Sequence, residues 1–101
     1  MLDEPRIDYM WCVYIIRCVY QTLYTGITND ITSRIERHNA KRGGSYTRIR
    51  TPVRLVYQEV CFTKSNALKR EAQIKRWSRE KKLALITGDK EMLAKLSKSK
   101  D

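Results

Sequence analysis

The chain has 101 residues, which is room for one domain and little room for two. Hydrophobic residues make up 42% and charged residues 32%, a balance that argues against a wholly disordered chain, and no apolar run is long enough to cross a bilayer. Lys and Arg number 21 against 11 Asp and Glu, a formal net charge of +10, which favours a polyanionic partner, nucleic acid before others.

Residues 1–9 are a polar leader with an acidic start (Asp3, Glu4) and no apolar h-region, so no secretory signal is expected. A single domain is then expected over 10–96, followed by a polar tail over 97–101. Trp11 to Cys18 is short, β-branched and aromatic, and reads as a strand. Leu23 to Thr28 reads as a second strand. The gap from Val19 to Thr22 makes a hairpin the economical connection, although no Asn-Gly turn signal is present. Asn29-Asp30 offers an N-cap, and Ile31, Ile35 and His38 give a first helix to about Lys41, stopped by Gly43-Gly44. Gly43 to Pro52 reads as a basic loop. Val53 to Phe62 is the third strand, with Val53, Leu55, Tyr57 and Cys61 expected on one face. Thr63 or Ser65 caps a second helix running to about Trp77. Ser78 caps a third over Arg79 to Thr87, which Gly88 ends. Asp89 caps a last short helix over about Lys90 to Leu96.

The order β-β-α-β-α-α, with one further short helix, describes an α+β fold: a small three-stranded antiparallel sheet flanked by helices. Three cysteines (Cys12, Cys18, Cys61) without metal-type spacing read as reduced core thiols of a cytoplasmic protein.

Polar residues break the apolar pattern at several points. On the second helix Ala67, Leu68 and Ile74 define an apolar stripe, and Glu71 falls within it. An acid there is desolvated unless a cation or a metal sits beside it; an i,i+4 pair with Lys75 is the plainer reading. On the first helix Arg34 and His38, spaced i,i+4, stack beside the Ile31/Ile35 stripe. Their plainer readings are a solvated arginine and a boundary histidine. Tyr14 and Tyr24 lie in strands that a hairpin brings together, where tyrosine is ordinarily packing. Gly26 inside a strand marks close approach by another group. Together these elements bring two phenols, an arginine, a histidine and a glutamate towards one place. Phosphodiester hydrolysis needs a base for water, a cation for the phosphate and a carboxylate for a divalent metal.

These residues resemble the GIY-YIG nuclease superfamily, in particular its small bacterial members. Cys12-Val13-Tyr14 stands where that family has Gly-Ile-Tyr, and Tyr24-Thr25-Gly26 where it has Tyr-Ile-Gly. Arg34, then His38-Asn39, follow at family spacing, and Ala67 to Trp77 looks like the family's metal-site helix. Tyr46-Thr47 and Pro52 to Tyr57 resemble the segment entering the third strand. The sequence departs at Cys12, at Ile27 where some members have Lys, and at Lys81-Lys82-Leu83 where some have Asn.

The resemblance implies a DNA endonuclease using one Mg²⁺ or Mn²⁺, with a role in repair or recombination. Glu71 would be the metal's one protein ligand, and Arg34 would hold the scissile phosphate. Tyr14 would hydrogen-bond the nucleophile or phosphate. Tyr24 would be the general base or water-positioning phenol, and His38 would orient or deprotonate that phenol. Lys41, Arg42, Tyr46, Arg48 and Arg50 are candidate DNA-backbone contacts, the alternative being a solvated loop; Gly26 and Lys75 are further candidates beside the site. A protein partner for targeting is a further expectation. The competing function is a non-catalytic nucleic-acid-binding module that keeps the fold.

Overall fold

A computed structural model describes residues 10–40 and 52–98. Strand β1 (Trp11–Arg17) is the middle of a three-stranded antiparallel sheet of order β2-β1-β3, between β2 (Leu23–Thr28) and β3 (Arg54–Cys61). Its central place follows from its sequence. Val13 through Ile16 are four consecutive buried residues, apolar enough to be covered on both faces. Helix α1 (Ile31–Asn39) links β2 to the segment before β3, and α2 (Lys64–Lys75), α3 (Arg79–Thr87) and α4 (Lys90–Ser97) follow.

The core has two halves, one on each face of the sheet. Val13 and Ile15 point towards α2 and α3 and pack with Ala67, Ile74, Leu85 and Ile86. Tyr14, Ile16 and Cys18 point the other way and pack with Ile31 and Ile35 of α1. The expectation that Val53, Leu55, Tyr57 and Cys61 share one face is overturned. The β1–β3 register steps from Ile15↔Tyr57 to Ile16↔Leu55, so Val56 is an extra residue. This bulge reverses the alternation: Val53 and Leu55 pack with Tyr14 and Ile16, whereas Tyr57 and Cys61 pack with Val13 and Ile15.

The hairpin between β1 and β2 is a 3-10 turn over Val19–Gln21, with both Tyr20 and Gln21 at φ +68°. Each of the four helices among the described residues is capped by a side chain that accepts from the backbone N–H three residues on: Asp30, Thr63, Ser78 and Asp89. Of the two caps offered for α2, Thr63 takes the role. Helix α1 ends at Asn39, two residues before the expected Lys41; Gly43-Gly44 lies outside the described residues. Gly88, at φ +72°, closes α3.

The α2 stripe also needs correcting. Ala67 and Ile74 are fully buried, but Leu68 is 45% exposed. Ala67 and Leu68 are adjacent, 100° apart on the helix, and only the former meets the sheet. The three cysteines stand outside any disulfide, with Cys18 and Cys61 buried and Cys12 half-buried. No helix among the described residues is long and apolar enough to cross a membrane.

Candidate active site

The site is built on the α1 face of the sheet. Tyr14 lies directly across the ladder from Gly26, and Ile16 from Tyr24. Directly opposed residues share a face, so both phenols stand on the same side of the sheet. A Cβ at position 26 would come within 2.6 Å of the Tyr14 hydroxyl. Glycine there is what lets the ring lie down across β2. Helix α1 then supplies the third ring. Its start is fixed by Asp30, whose carboxylate accepts from Ser33 N–H at 3.1 Å. The preceding turn is tied by Asp30 N–H donating to Thr28 Oγ1 at 3.0 Å. Two turns later His38 is 1% exposed beneath the helix.

The rings form a compact triangle. Centroids are 6.4 Å apart for Tyr14 and Tyr24, 6.1 Å for Tyr14 and His38, and 5.6 Å for Tyr24 and His38, the last edge-on. A hydrogen bond joins Tyr14 Oη and His38 Nε2 at 3.2 Å. With Nε2 unprotonated the imidazole accepts from the phenol; in the other tautomer it donates. Tyr14 and His38 are buried, while Tyr24 and Arg34 are half-buried.

Burial sets the charge state of the deep pair. It raises the Tyr14 phenol far above its ordinary range, and the neighbouring Tyr24 and Glu71 push it further, against the lowering effect of Arg34. Tyr14 is therefore a neutral hydroxyl at physiological pH. Burial also lowers His38 below the usual imidazole value, helped by the cations Arg34 and Arg37. His38 is thus uncharged near neutrality.

Helix α2 brings Glu71 from its contacts along β1 and β2, near enough for its charge to act on Tyr14. Its side chain is 18% exposed and accepts from Lys75 Nζ at 3.3 Å. The plainer reading of this acid, an i,i+4 ion pair, is therefore part of the structure. Among the described residues no group of three or more His, Cys, Asp and Glu stands together as a metal cage. A cation at Glu71 would take one protein carboxylate and fill its shell with water and substrate oxygens. That mode suits Mg²⁺, which gives up its hydration reluctantly.

The structure therefore brings together Tyr14, Tyr24, Gly26 and His38, with Arg34 and Glu71 acting electrostatically on the same phenol. Lys75 adjoins through Glu71. Lys41, Arg42, Tyr46, Arg48 and Arg50 lie outside the described residues.

Against this geometry the comparisons are specific. The family model of the GIY-YIG catalytic domain matches residues 10–84. The chain belongs to the GIY-YIG family. UPF0213 proteins of several Staphylococcus aureus strains are 54% identical over 74 residues, covering 73% of this chain and 90% of theirs. A solution NMR structure of a UPF0213 protein from Bacillus halodurans is 38% identical, with a TM-score of 0.51, over 77% of this chain and 83% of that one. The family belongs to the nuclease superfamily, and its three-stranded α+β fold is the one described above.

Two polar groups that hold the GIY-YIG site went unassigned in the sequence reading. Thr28 is 3% exposed and ties β2 to the start of α1. Asn39 binds Val53 with both ends of its amide, accepting from Val53 N–H at 2.7 Å and donating to Val53 C=O at 3.3 Å. The Thr-x-Asp spacing before a helix was a usable signal for the first. No local signal announces the second, because its partner is 14 residues away. Part of the basic charge is also already engaged. Arg70 is held by Glu59 at 3.0 Å, and Lys81 is 6% exposed with its ammonium 4.3 Å from the centre of the Trp77 ring.

Proposed function

We propose that this chain is a divalent-metal-dependent endonuclease that hydrolyses DNA phosphodiester bonds, with a role in repair or recombination. The observation that carries this reading is the Tyr14–His38 hydrogen bond beneath Tyr24, under the electrostatic influence of Arg34 and Glu71. Structural packing alone does not call for a buried imidazole flanked by two arginines.

Burial divides the roles. Tyr14 and His38 form a deep, uncharged pair that holds the site in place. Tyr24 and Arg34 form the layer that substrate reaches. Arg34 would bind the scissile phosphate and balance the negative charge that grows in the transition state. Tyr24 would position the attacking water. His38, neutral at pH 7, would accept the Tyr24 hydroxyl proton as that phenol takes one from the water. A divalent ion held by Glu71 would supply Lewis-acid stabilisation of the phosphate and leaving oxygens. These assignments refine the expected roles: Tyr14 serves as a positioning group for His38 and Tyr24 rather than as a direct contact to the nucleophile.

The test sets wild type against Glu71→Ala on labelled single-stranded, duplex and branched DNA, with Mn²⁺ and with chelator. Cleavage is expected from the wild type with Mn²⁺, falling by at least about 100-fold when the carboxylate or the metal is removed, as for loss of one preorganised charge-stabilising group. The competing reading, a binding module without chemistry, draws on the Glu71–Lys75 pair, in which the carboxylate already has a cation. It requires salt-dependent DNA retention, identical in both proteins, with no cleavage.

A further inference from the structure

The turn between β1 and β2 is built at a conformational cost that the ring cluster does not need. Tyr20 and Gln21 both stand at φ +68°, a region that side chains other than Gly, Asn and Asp seldom occupy. Tyr20 is 83% exposed.

Cations converge on the same end of the sheet. Arg17 and Arg54 are direct partners across the β1–β3 ladder, on one face, where like charges repel. Arg79 reaches from the start of α3 and donates through Nη2 to the Gln21 carbonyl at 2.8 Å. Two hollows flank the turn. One, of about 270 Å³, is lined by Arg17, Cys18, Gln21, Val53 and Arg54 among others, and the second, of about 230 Å³, by Thr22, Leu23, Arg79 and Lys82. Among the described residues neither lining contains an acid. Buried polar atoms without a hydrogen-bond partner occur here as well: Arg17 Nε and Thr22 Oγ1. Paired arginines and hollows whose described linings hold cations and no acid form a place that accepts oxyanions.

We propose that this end of the sheet is a second nucleic-acid contact. Arg17, Arg54 and Arg79 take backbone phosphates, and Tyr20 stacks on an unpaired base. The exposed aromatic at the same turn, next in sequence to the Gln21 that Arg79 binds, favours a nucleic-acid strand over a free anion, because stacking on a ring face rewards any base. The inference rests on the reading of nucleic acid as substrate and adds the form of the strand. A base free to stack is found in single-stranded or frayed DNA. Tyr20 precedes Tyr24 by four residues, a reach of at most about 14 Å, while Arg17 and Arg54, in phase with Ile15, stand on the face of the sheet opposite the rings, so the strand would pass around the end of the sheet.

The test measures binding of a fluorescent single-stranded oligonucleotide to metal-free protein across a salt series. Wild type, Arg54→Met, Tyr20→Ala and Tyr20→Gly are compared. Arg54 and Tyr20 are both exposed, and Tyr20→Gly removes the ring while suiting the left-handed backbone, which separates binding from folding. Arg54→Met is expected to flatten the log–log salt slope by about 0.7, the share of one phosphate contact on a single strand. Both Tyr20 variants are expected to weaken binding by about 5- to 140-fold with the slope kept. Unchanged slope and affinity would overturn the proposal, as would a wild type that binds no oligonucleotide at low salt. Chemical shifts of the Arg17 and Arg54 amides on adding inorganic phosphate, with unchanged oligonucleotide binding, would overturn it too, in favour of a small-anion site. Cleavage by wild type and Glu71→Ala is scored separately, so failure here is distinguishable from failure of the nuclease reading.

Discussion

Tyr14 and Gly26 make a single fitted pair. Replacing Gly26 with Ala sets a methyl group 2.6 Å from the phenolic oxygen, and that oxygen is tied to His38, so the ring cannot move without breaking its bond. Gly26→Ala is expected to lower stability by about 1–3 kcal/mol, the usual cost of overpacking, seen as a lower urea midpoint with unchanged slope. Cleavage should fall with it. His38 gives a second residue-scale outcome. Its folded pKa lies below the unfolded value of 6.5, so between those two values the unfolded chain binds more protons and stability rises with pH. As pH falls below about 6.5 the wild type should lose stability, until the folded-state value is passed. His38→Gln, which does not titrate, should lose less over the same range. Urea midpoints at pH 7.5 and pH 5 measure both, and equal losses in the two proteins would contradict the buried neutral imidazole. The residues of this cluster were legible one by one in the sequence as polar side chains out of pattern. Their depth was not, because exposure of His38 depends on how α1 settles on the sheet, and i,i+4 spacing is blind to that.

At the scale of elements, α1 owes its place to its first turn. Asp30 accepts from Ser33 N–H and is itself tied to Thr28, so the cap fixes both where the helix starts and how it leaves β2. Asp30→Ala is expected to cost about 1 kcal/mol. Because α1 carries Arg34 and His38, the same change should reduce cleavage more than an equally destabilising change at the cap of α4, Asp89→Ala. A comparison of denaturation midpoints and cleavage rates for the two variants checks this. Caps and strands were readable in advance because they are local: Asp30, Thr63, Ser78 and Asp89 are short polar residues ahead of helical runs. The bulge at Val56 was not, since Leu55-Val56-Tyr57 is an unbroken apolar run, and only pairing with β1 decides which residue is the extra one. Leu68 misled for a related reason: hydrophobicity marks a candidate for burial, while the sheet covers only a narrow strip of α2.

For the whole molecule, a net charge of +10 indicates the sign of the partner, but Arg70 and Lys81 are taken up internally. Charge counting alone therefore overstates the binding surface. The order of the elements and the family were legible because the ring residues and Glu71 stand at fixed spacings; the long-range fastening of α1 to β3 was not. That fastening is the Asn39 side chain, which treats Val53 as a neighbouring strand would, binding its N–H and its C=O together. Asn39→Ala leaves the backbone N–H of buried Val53 without that partner and is expected to cost about 1–3 kcal/mol, measurable by denaturation. The fastening has an evolutionary corollary. It acts as a clasp between the end of α1 and the entry of β3, so that entry is set by Asn39 and Val53 and not by the number of residues between them. In general the entropy of closing a loop grows by only about 0.6 kcal/mol per doubling of its length. Residues between Asn39 and Val53 are thus expected to tolerate exchange or insertion with the ring cluster unchanged. A glycine-serine insertion there should leave the denaturation midpoint nearly unmoved when Asn39 is present and lower it further when Asn39 is alanine.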